Sequence, residues 1–223
     1  MGIPLGDVTR RPLHRPVVTT LIIVANVIVF VMELAGGDAF VQKWSVIPAN
    51  IAAGHDYITI LTSMFMHEGW QHIGGNMIFL WAFGPQIEDA MGPFRYLTFY
   101  LLSGLAASLG QIAVSASSKI PNLGASGAIA GVMGAFIVTY PRDRIKTILF
   151  IFIFASVTVL PAGLLIGIWF LMQLFSGVGA VASAQTQSGG VAYMAHVAGF
   201  VFGAITARLF EQRDRIGPPA PSY

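Results

Sequence analysis

Cysteine is absent from the sequence, and charged residues are scarce. Without cysteine the chain can form no disulfide, thiol nucleophile or thiolate metal site, so cysteine chemistry is excluded. Only 10% of the 223 residues are Asp, Glu, Lys or Arg, whereas a soluble domain carries about 25%. Hydrophobic residues make up 55% of the chain, and the mean hydropathy is +0.73. This composition indicates a membrane protein.

The twelve Lys and Arg residues are scattered and form no basic stripe with interleaved aromatic residues. Nucleic-acid-binding surfaces concentrate positive charge, so the pI of about 9.1 does not indicate such a partner. We therefore expect no nucleic acid as a partner. Membrane lipids are expected around the apolar segments instead.

Six apolar segments approach the length of about 20 residues that a helix needs to cross a bilayer core. The predicted fold class is all-α: a polytopic membrane protein with six transmembrane helices in a bundle. The predicted spans are residues 17–34, 72–87, 94–114, 124–140, 160–178 and 193–210. Residues 147–159 are predicted as an interfacial or tilted segment leading into the fifth helix, because a further span would move the basic C-terminus outside.

The distribution of basic residues predicts the orientation of the helices. Six spans place both termini on one side, and that side carries most of the positive charge, which indicates the cytoplasm. Its basic residues are Arg10, Arg11, Arg15, Arg95, Arg142, Arg144, Lys146, Arg208, Arg213 and Arg215, against Lys43 and Lys119 on the other side. The predicted regions are a cytoplasmic tail at 1–16, a membrane domain at 17–210 and a cytoplasmic tail at 211–223. Both tails are polar and proline-bearing, which is typical of disorder.

Four polar side chains are predicted at one depth in the membrane, where polar groups are rare and usually functional. Ser126 lies near the start of the fourth span and His196 is the fourth residue of the sixth, and both spans run inward from the outer side. His72 and Asn76 start the second span, which runs the same way. A lone serine in such a helix often bonds back to the carbonyl four residues earlier. The common depth of all four residues favours a functional site over that alternative.

Small residues predict that the fourth and sixth helices pack closely. Gly127 and Gly131 are spaced by four residues, as are Gly199 and Gly203. Such spacing lets transmembrane backbones approach each other. A histidine on one helix needs such a short separation in order to reach a serine hydroxyl on the other. Helix packing alone also explains the glycines, and that interpretation is retained for Gly199 and Gly203.

The chemistry open to these residues is acyl transfer. A serine hydroxyl becomes a nucleophile when a base takes its proton, and His196 is the candidate base. His72, Asn76 and the Ser126 N–H are candidate donors to an oxyanion. The sequence predicts a dyad, because carboxylates are missing from the interiors of the predicted spans. Flanking glycines, Gly124 and Gly127, leave room for an extended substrate backbone.

Three sequence blocks resemble the signature blocks of the rhomboid intramembrane serine proteases. They are HEGWQHIGGN at 67–76, GASGAI at 124–129 and AHVAGFVFG at 195–203. The resemblance covers the chain from the first to the sixth helix and is to the compact six-helix bacterial form. It implies that Ser126 is the nucleophile, His196 the general base, and His72 and Asn76 part of the oxyanion hole. His67 would shape the outer loop.

The same resemblance implies further features. Glu88 and Gly92 would join helix ends. Ala130 departs from the pattern, since some members place there a tyrosine that packs on the catalytic histidine. A substrate helix would enter between the second and fifth helices. The candidate gate residues are Phe79, Trp81, Trp169 and Phe170, with the alternative that some of them simply face lipid.

The function predicted from the sequence is hydrolysis of a peptide bond in or next to the transmembrane segment of a membrane-protein substrate. We expect the protein in the cell (inner) membrane, with transmembrane proteins as substrates and with no cofactor or metal. Two alternatives remain open. One is an inactive rhomboid-like binder of transmembrane clients, and the other is a small transporter, although transporters often carry polar groups near the midplane and internal repeats.

Overall fold

The structure is a computed structural model that describes residues 2–151, 154–182 and 193–216. It is a helical bundle with a small sheet at one end. Two short 3₁₀ turns, Ser63–Phe65 and Arg213–Arg215, supplement the main elements. Those elements are β1 (Gly2–Asp7), α1 (Val17–Trp44), α2 (Pro48–Ala52), α3 (Thr59–Thr62), α4 (Trp70–Met91), α5 (Pro93–Ser115), α6 (Ser126–Thr139), β2 (Arg144–Ile151), β3 (Phe154–Pro161), α7 (Ala162–Ala182) and α8 (Tyr193–Phe210).

The long helices α1, α4, α5, α6, α7 and α8 coincide with the six predicted segments. Three of them, α1, α5 and α8, are long and apolar enough to cross a membrane, and α6 is a shorter apolar helix of 14 residues. The chain is therefore a helical membrane protein. The first helix runs further than predicted, through a kink at Gly37 with φ +58°.

An antiparallel sheet corrects the all-α prediction. Its strand order is β1-β2-β3, and β2 (Arg144–Ile151) pairs antiparallel with β3 (Phe154–Pro161). Residues 147–159, predicted as a tilted lead-in to the fifth helix, are thus mostly strand. The physical reason is composition, because the segment is rich in β-branched and aromatic residues. The buried Ile145 and Thr147 alternate with the exposed Arg144 and Lys146, as expected for a strand with one buried face.

The N-terminal segment is ordered, contrary to the prediction of a disordered tail at 1–16. Strand β1 pairs with β2, and Arg10 forms a salt bridge with Asp143 at 2.8 Å. The N–H of Leu13 donates to the Asp89 carboxylate at 2.8 Å. Each of these partners is far away in sequence, so the ordered structure could not be predicted from the composition of the segment.

The C-terminal segment also packs on the bundle, where Gln212 donates its N–H to the carbonyl of Ala90 at 2.9 Å. Residues 217–223 of the predicted tail lie outside the described residues.

Glu88 and Gly92 join helix ends, as predicted. The buried Glu88 carboxylate accepts from the N–H groups of Val18 and Thr19 at 2.8 Å each. It thereby caps the start of α1, where N–H groups have no partner within the helix. Gly92 turns the chain from α4 into α5 with φ +75°, a conformation that suits glycine.

Helix α6 is the centre of the bundle, and every residue from Gly127 to Phe136 is buried. It packs on α8 backbone to backbone. A Cβ placed on Gly203 would overlap the backbone of Gly131, and one placed on Gly199 would overlap the carbonyl of Gly127. The predicted close packing of these two helices is confirmed. It brings the N-terminal ends of α6 and α8 together.

Candidate active site

Ser126 is the first residue of α6, and the backbone before it is tightly fixed. Gly124 has φ +137°, a left-handed conformation that favours glycine. Its N–H donates to the carbonyl of Ser63 at 2.9 Å. The N–H groups of the first helical turn, which have no partner within the helix, therefore lie beside the Ser126 hydroxyl.

His196 lies in the first turn of α8 and is buried, with 8% of its surface exposed. Its Nε2 is 2.7 Å from the Oγ of Ser126. Its Nδ1 is 2.7 Å from the Oε1 of Gln173, on α7. Because an amide oxygen only accepts hydrogen bonds, the proton of the neutral imidazole resides on Nδ1. The lone pair of Nε2 then faces the serine hydroxyl.

His72 and Asn76 lie one turn apart at the start of α4. The Nδ1 of His72 accepts from the N–H of Glu68 at 3.3 Å, so the ring proton resides on Nε2. A Cβ placed on Gly124 would lie 3.1 Å from this Nε2 and 3.4 Å from the Oγ of Ser126. The Nδ2 of Asn76 is buried and has no hydrogen-bond partner among the described residues. The Nε2–H of His72 therefore lies close to the serine, and Asn76 and Ser126 line the same cavity.

His67 packs edge-on against His72, with 5.1 Å between ring centroids. Burial and the nearby His72 lower the pKa of His67 to about 4, so it is neutral at pH 7. Its backbone N–H donates to the carboxylate of Glu33 at 2.8 Å. Glu33 lies within α1, because this helix continues to Trp44. This buried carboxylate holds the loop before α4.

A cavity of about 780 Å³ adjoins these side chains. It is lined by Glu68, Gly69, Trp70, Gln71, His72, Gly75, Asn76, Phe79, Ile120, Pro121, Asn122, Leu123, Ser126, Ile129, Met133, Trp169 and His196. Two predicted gate residues, Phe79 of α4 and Trp169 of α7, are thus in its wall. Trp81 is 52% exposed, and Phe170 stacks on Phe200 with 4.3 Å between ring centroids. The cavity therefore extends between α4 and α7.

The structure brings together Ser126, His196, His72 and Asn76, all of which were predicted as one cluster. Gln173 was not among the predicted residues. Its sequence signal was available, because it is the only polar side chain between residues 162 and 175 and a lone amide in an apolar helix needs a partner. Trp169, one turn earlier, lies 5.7 Å from the His196 ring. Helix α7 thus supplies the aromatic contact that Ala130 cannot make.

A bundle of apolar helices with a serine and a histidine in hydrogen-bond contact beside a cavity defines a polytopic membrane protein with a candidate hydrolytic site. The family model described as the Rhomboid domain matches residues 54–213. The chain therefore belongs to the rhomboid family, and the resemblance found in its sequence blocks is confirmed.

Several curated proteins are similar to this chain. Rhomboid protein 1, mitochondrial, from Saccharomyces cerevisiae is 33% identical over 132 residues, which cover 57% of this chain and 37% of the relative. Rhomboid protease GluP from Bacillus subtilis is 32% identical over 58% of this chain and 26% of its own length. Putative rhomboid protease YdcA from the same organism is 26% identical over 55% of this chain and 61% of its own length. The chain thus spans less than two thirds of each of these relatives.

Proposed function

We propose that the protein is an intramembrane serine endopeptidase that hydrolyses a peptide bond in or next to the transmembrane segment of a membrane-protein substrate. The observation that carries the proposal is the 2.7 Å contact between the Oγ of Ser126 and the Nε2 of His196. Membership of a family that includes proteins named as proteases agrees with it.

The proposed reaction begins when Nε2 of His196 takes the hydroxyl proton of Ser126 as the oxygen attacks the scissile carbonyl. The same nitrogen then returns the proton to the leaving amine, and water hydrolyses the acyl-enzyme. The developing oxyanion is stabilised by N–H donors aimed at it. Those donors are the Nδ2 of Asn76, the Nε2 of His72 and the backbone N–H of Ser126.

We infer that all six long helices cross the cell's inner membrane and that both termini are cytoplasmic. Hydrogen bonds support this topology. The pairing of β1 with β2 requires the N-terminus and the connection from α6 to α7 to lie on the same side. Asp89, at the end of α4, binds Leu13, and Ala90 binds Gln212. Ten of the twelve basic residues share that side, which is the cytoplasmic one by the positive-inside rule.

In this topology the starts of α4, α6 and α8 face the outer side, so water reaches Ser126 from there. A transmembrane substrate would come from the lipid between α4 and α7, where Phe79 and Trp169 line the cavity. The helical backbone of the substrate must unwind before its carbonyl becomes accessible. The proposed partners are therefore transmembrane proteins and the surrounding lipids.

Asn76→Ala is expected to lower kcat about 10²-fold, because loss of one oxyanion donor removes stabilisation that arises in the transition state. The KM and the thermal unfolding midpoint should stay near those of the wild type. Asn50→Ala is the matched control, since the Asn50 amide binds Asp56 on an exposed loop. A kcat within twofold of the wild type would remove Asn76 from this role.

The test of the function uses the purified full chain in liposomes with a panel of single-span membrane proteins. We expect cleavage in or beside the transmembrane segment, located by mass spectrometry, and covalent labelling of Ser126 by a fluorophosphonate. An inactive binder would retain such proteins uncut and leave Ser126 unlabelled. A transporter would move solutes without cutting protein. A wild-type chain that neither cleaves nor becomes labelled contradicts the proposal.

A further inference from the structure

Gln173 is the only amide or charged side chain in the apolar helix α7. The other residues of α7 from Ala162 to Phe175 are apolar, and one face of the helix is exposed, including Ile168 and Met172. An amide at such a position is unfavourable unless a hydrogen bond satisfies it. Its Oε1 finds that bond at the Nδ1 of His196, 2.7 Å away. The interaction therefore links α7 directly to the reacting imidazole.

The imidazole of His196 thus has partners at both nitrogens, Ser126 at Nε2 and Gln173 at Nδ1. A neutral imidazole exists in two tautomers, and only the Nδ1–H form leaves Nε2 free to accept a proton. An acceptor at Nδ1 stabilises that form and also fixes the rotation of the ring. Trp169 packs on the same ring from one turn earlier in α7.

We propose that Gln173 is a positioning residue for the serine–histidine pair, holding the Nδ1–H of His196 so that Nε2 faces the hydroxyl of Ser126. The inference rests on the proposed protease function and adds a residue from a third helix to the site. Gln173 does not touch the reacting bond. It acts only through His196.

The proton balance of the reaction is compatible with a neutral partner. The Ser126 proton moves to Nε2 and later to the leaving amine, while the Nδ1 proton stays in its bond to the Gln173 oxygen. The amide therefore gains no charge at any step. A carboxylate in this place would stabilise the imidazolium more strongly, but an ionised carboxylate inside a membrane helix is unfavourable.

Few other groups compete for His196 in the part of the chain that the structure describes. Besides His196 itself, the titratable side chains that line the same cavity are Glu68, in the loop before α4, and His72, in the first turn of α4. The hydrogen bonds of the His196 ring go to Ser126 and Gln173. The orientation of the ring is therefore set by α7 on one side and α6 on the other.

The experiment compares three variants of the full chain in liposomes with a cleavable single-span substrate. Gln173→Met keeps the size and removes the acceptor, Gln173→Glu keeps an oxygen acceptor, and Met172→Leu on the exposed face is the control. We expect Gln173→Met to lower kcat about 10- to 100-fold, a share of what general base catalysis contributes, with KM within twofold. The kcat of Gln173→Glu should be at least several-fold higher than that of Gln173→Met, and the kcat of Met172→Leu should match that of the wild type.

A second measurement needs no variant of Gln173. In the wild-type chain with ¹⁵N-labelled histidine, NMR at neutral pH should show His196 protonated at Nδ1 and not at Nε2, with the signal assigned by its loss in His196→Ala. The inference is overturned by an Nε2–H tautomer or by a kcat of Gln173→Met within twofold of the wild type. If the wild type cleaves substrate, either result would contradict the role of Gln173 and leave the protease function unaffected. Absence of cleavage by the wild type would instead contradict the protease function itself.

Discussion

Replacing Ser126 with alanine, or His196 with alanine, should lower kcat on a transmembrane substrate by at least about 10³-fold. Serine and base act as a unit in acyl transfer, so that loss of either removes nearly all nucleophilic catalysis. The 2.7 Å contact between Oγ and Nε2 predicts that the double variant is no slower than either single variant. Initial rates in liposomes, followed by release of a labelled fragment, measure all three.

Two control variants separate this effect from general damage. Ser115→Ala removes a hydroxyl that binds the carbonyl of Gln111 within α5, and His55→Ala removes an exposed loop imidazole. Both should keep the wild-type rate, and all variants should unfold at similar temperatures. If Ser126→Ala cleaved as fast as these controls, the serine would not be the nucleophile.

Gly203→Ala is expected to have the second largest effect, on folding as well as on activity. The added Cβ would overlap the Cα, carbonyl carbon and carbonyl oxygen of Gly131, all of them backbone atoms that a rotamer change cannot move. Overpacking typically costs about 1–3 kcal/mol and occasionally more, and a clash with backbone atoms belongs at the upper end of that range. Separation of α6 from α8 would also part Ser126 from His196. Thermal unfolding and substrate cleavage together should show a lower midpoint and a large loss of rate.

Gly167→Ala provides the matched control, because a Cβ on this α7 glycine meets no atom within 4 Å. It should unfold and cleave like the wild type. Equal behaviour of Gly203→Ala and Gly167→Ala would show that the two helices do not approach as closely as the structure has them.

Much of the candidate site was predictable because membrane helices fix depth. In the predicted spans, the sequence positions of Ser126 and His196 place both residues at one depth below the outer surface. The positions of His72 and Asn76 place them at the same depth. The glycines then predicted which helices meet.

Other parts depended on contacts that no local pattern encodes. The sheet forms because β1 reaches β2 across about 140 residues of sequence, and an apolar run such as 147–159 fits a buried strand or a helix equally well. Gln173 was not predicted, although it lies five residues before the outer end of its predicted span at 160–178, a depth close to that of Asn76 in the second span. Its partner is on another helix, so only the fold shows why the amide is there.

The sheet also fixes the point at which α7 begins. Strand β3 ends at Pro161 and α7 begins at Ala162. The first turn of the helix is therefore held by the sheet, in which β2 also pairs with the N-terminal strand β1. Gln173 lies about 16 Å along α7 from Ala162, so a tilt of the helix about its first turn would move the Gln173 amide. A tilt of only about 10° would carry its amide about 3 Å from the histidine, given that rise per residue. If a substrate entered as proposed and tilted α7 by this amount, His196 would lose its acceptor at Nδ1 until the helix returned.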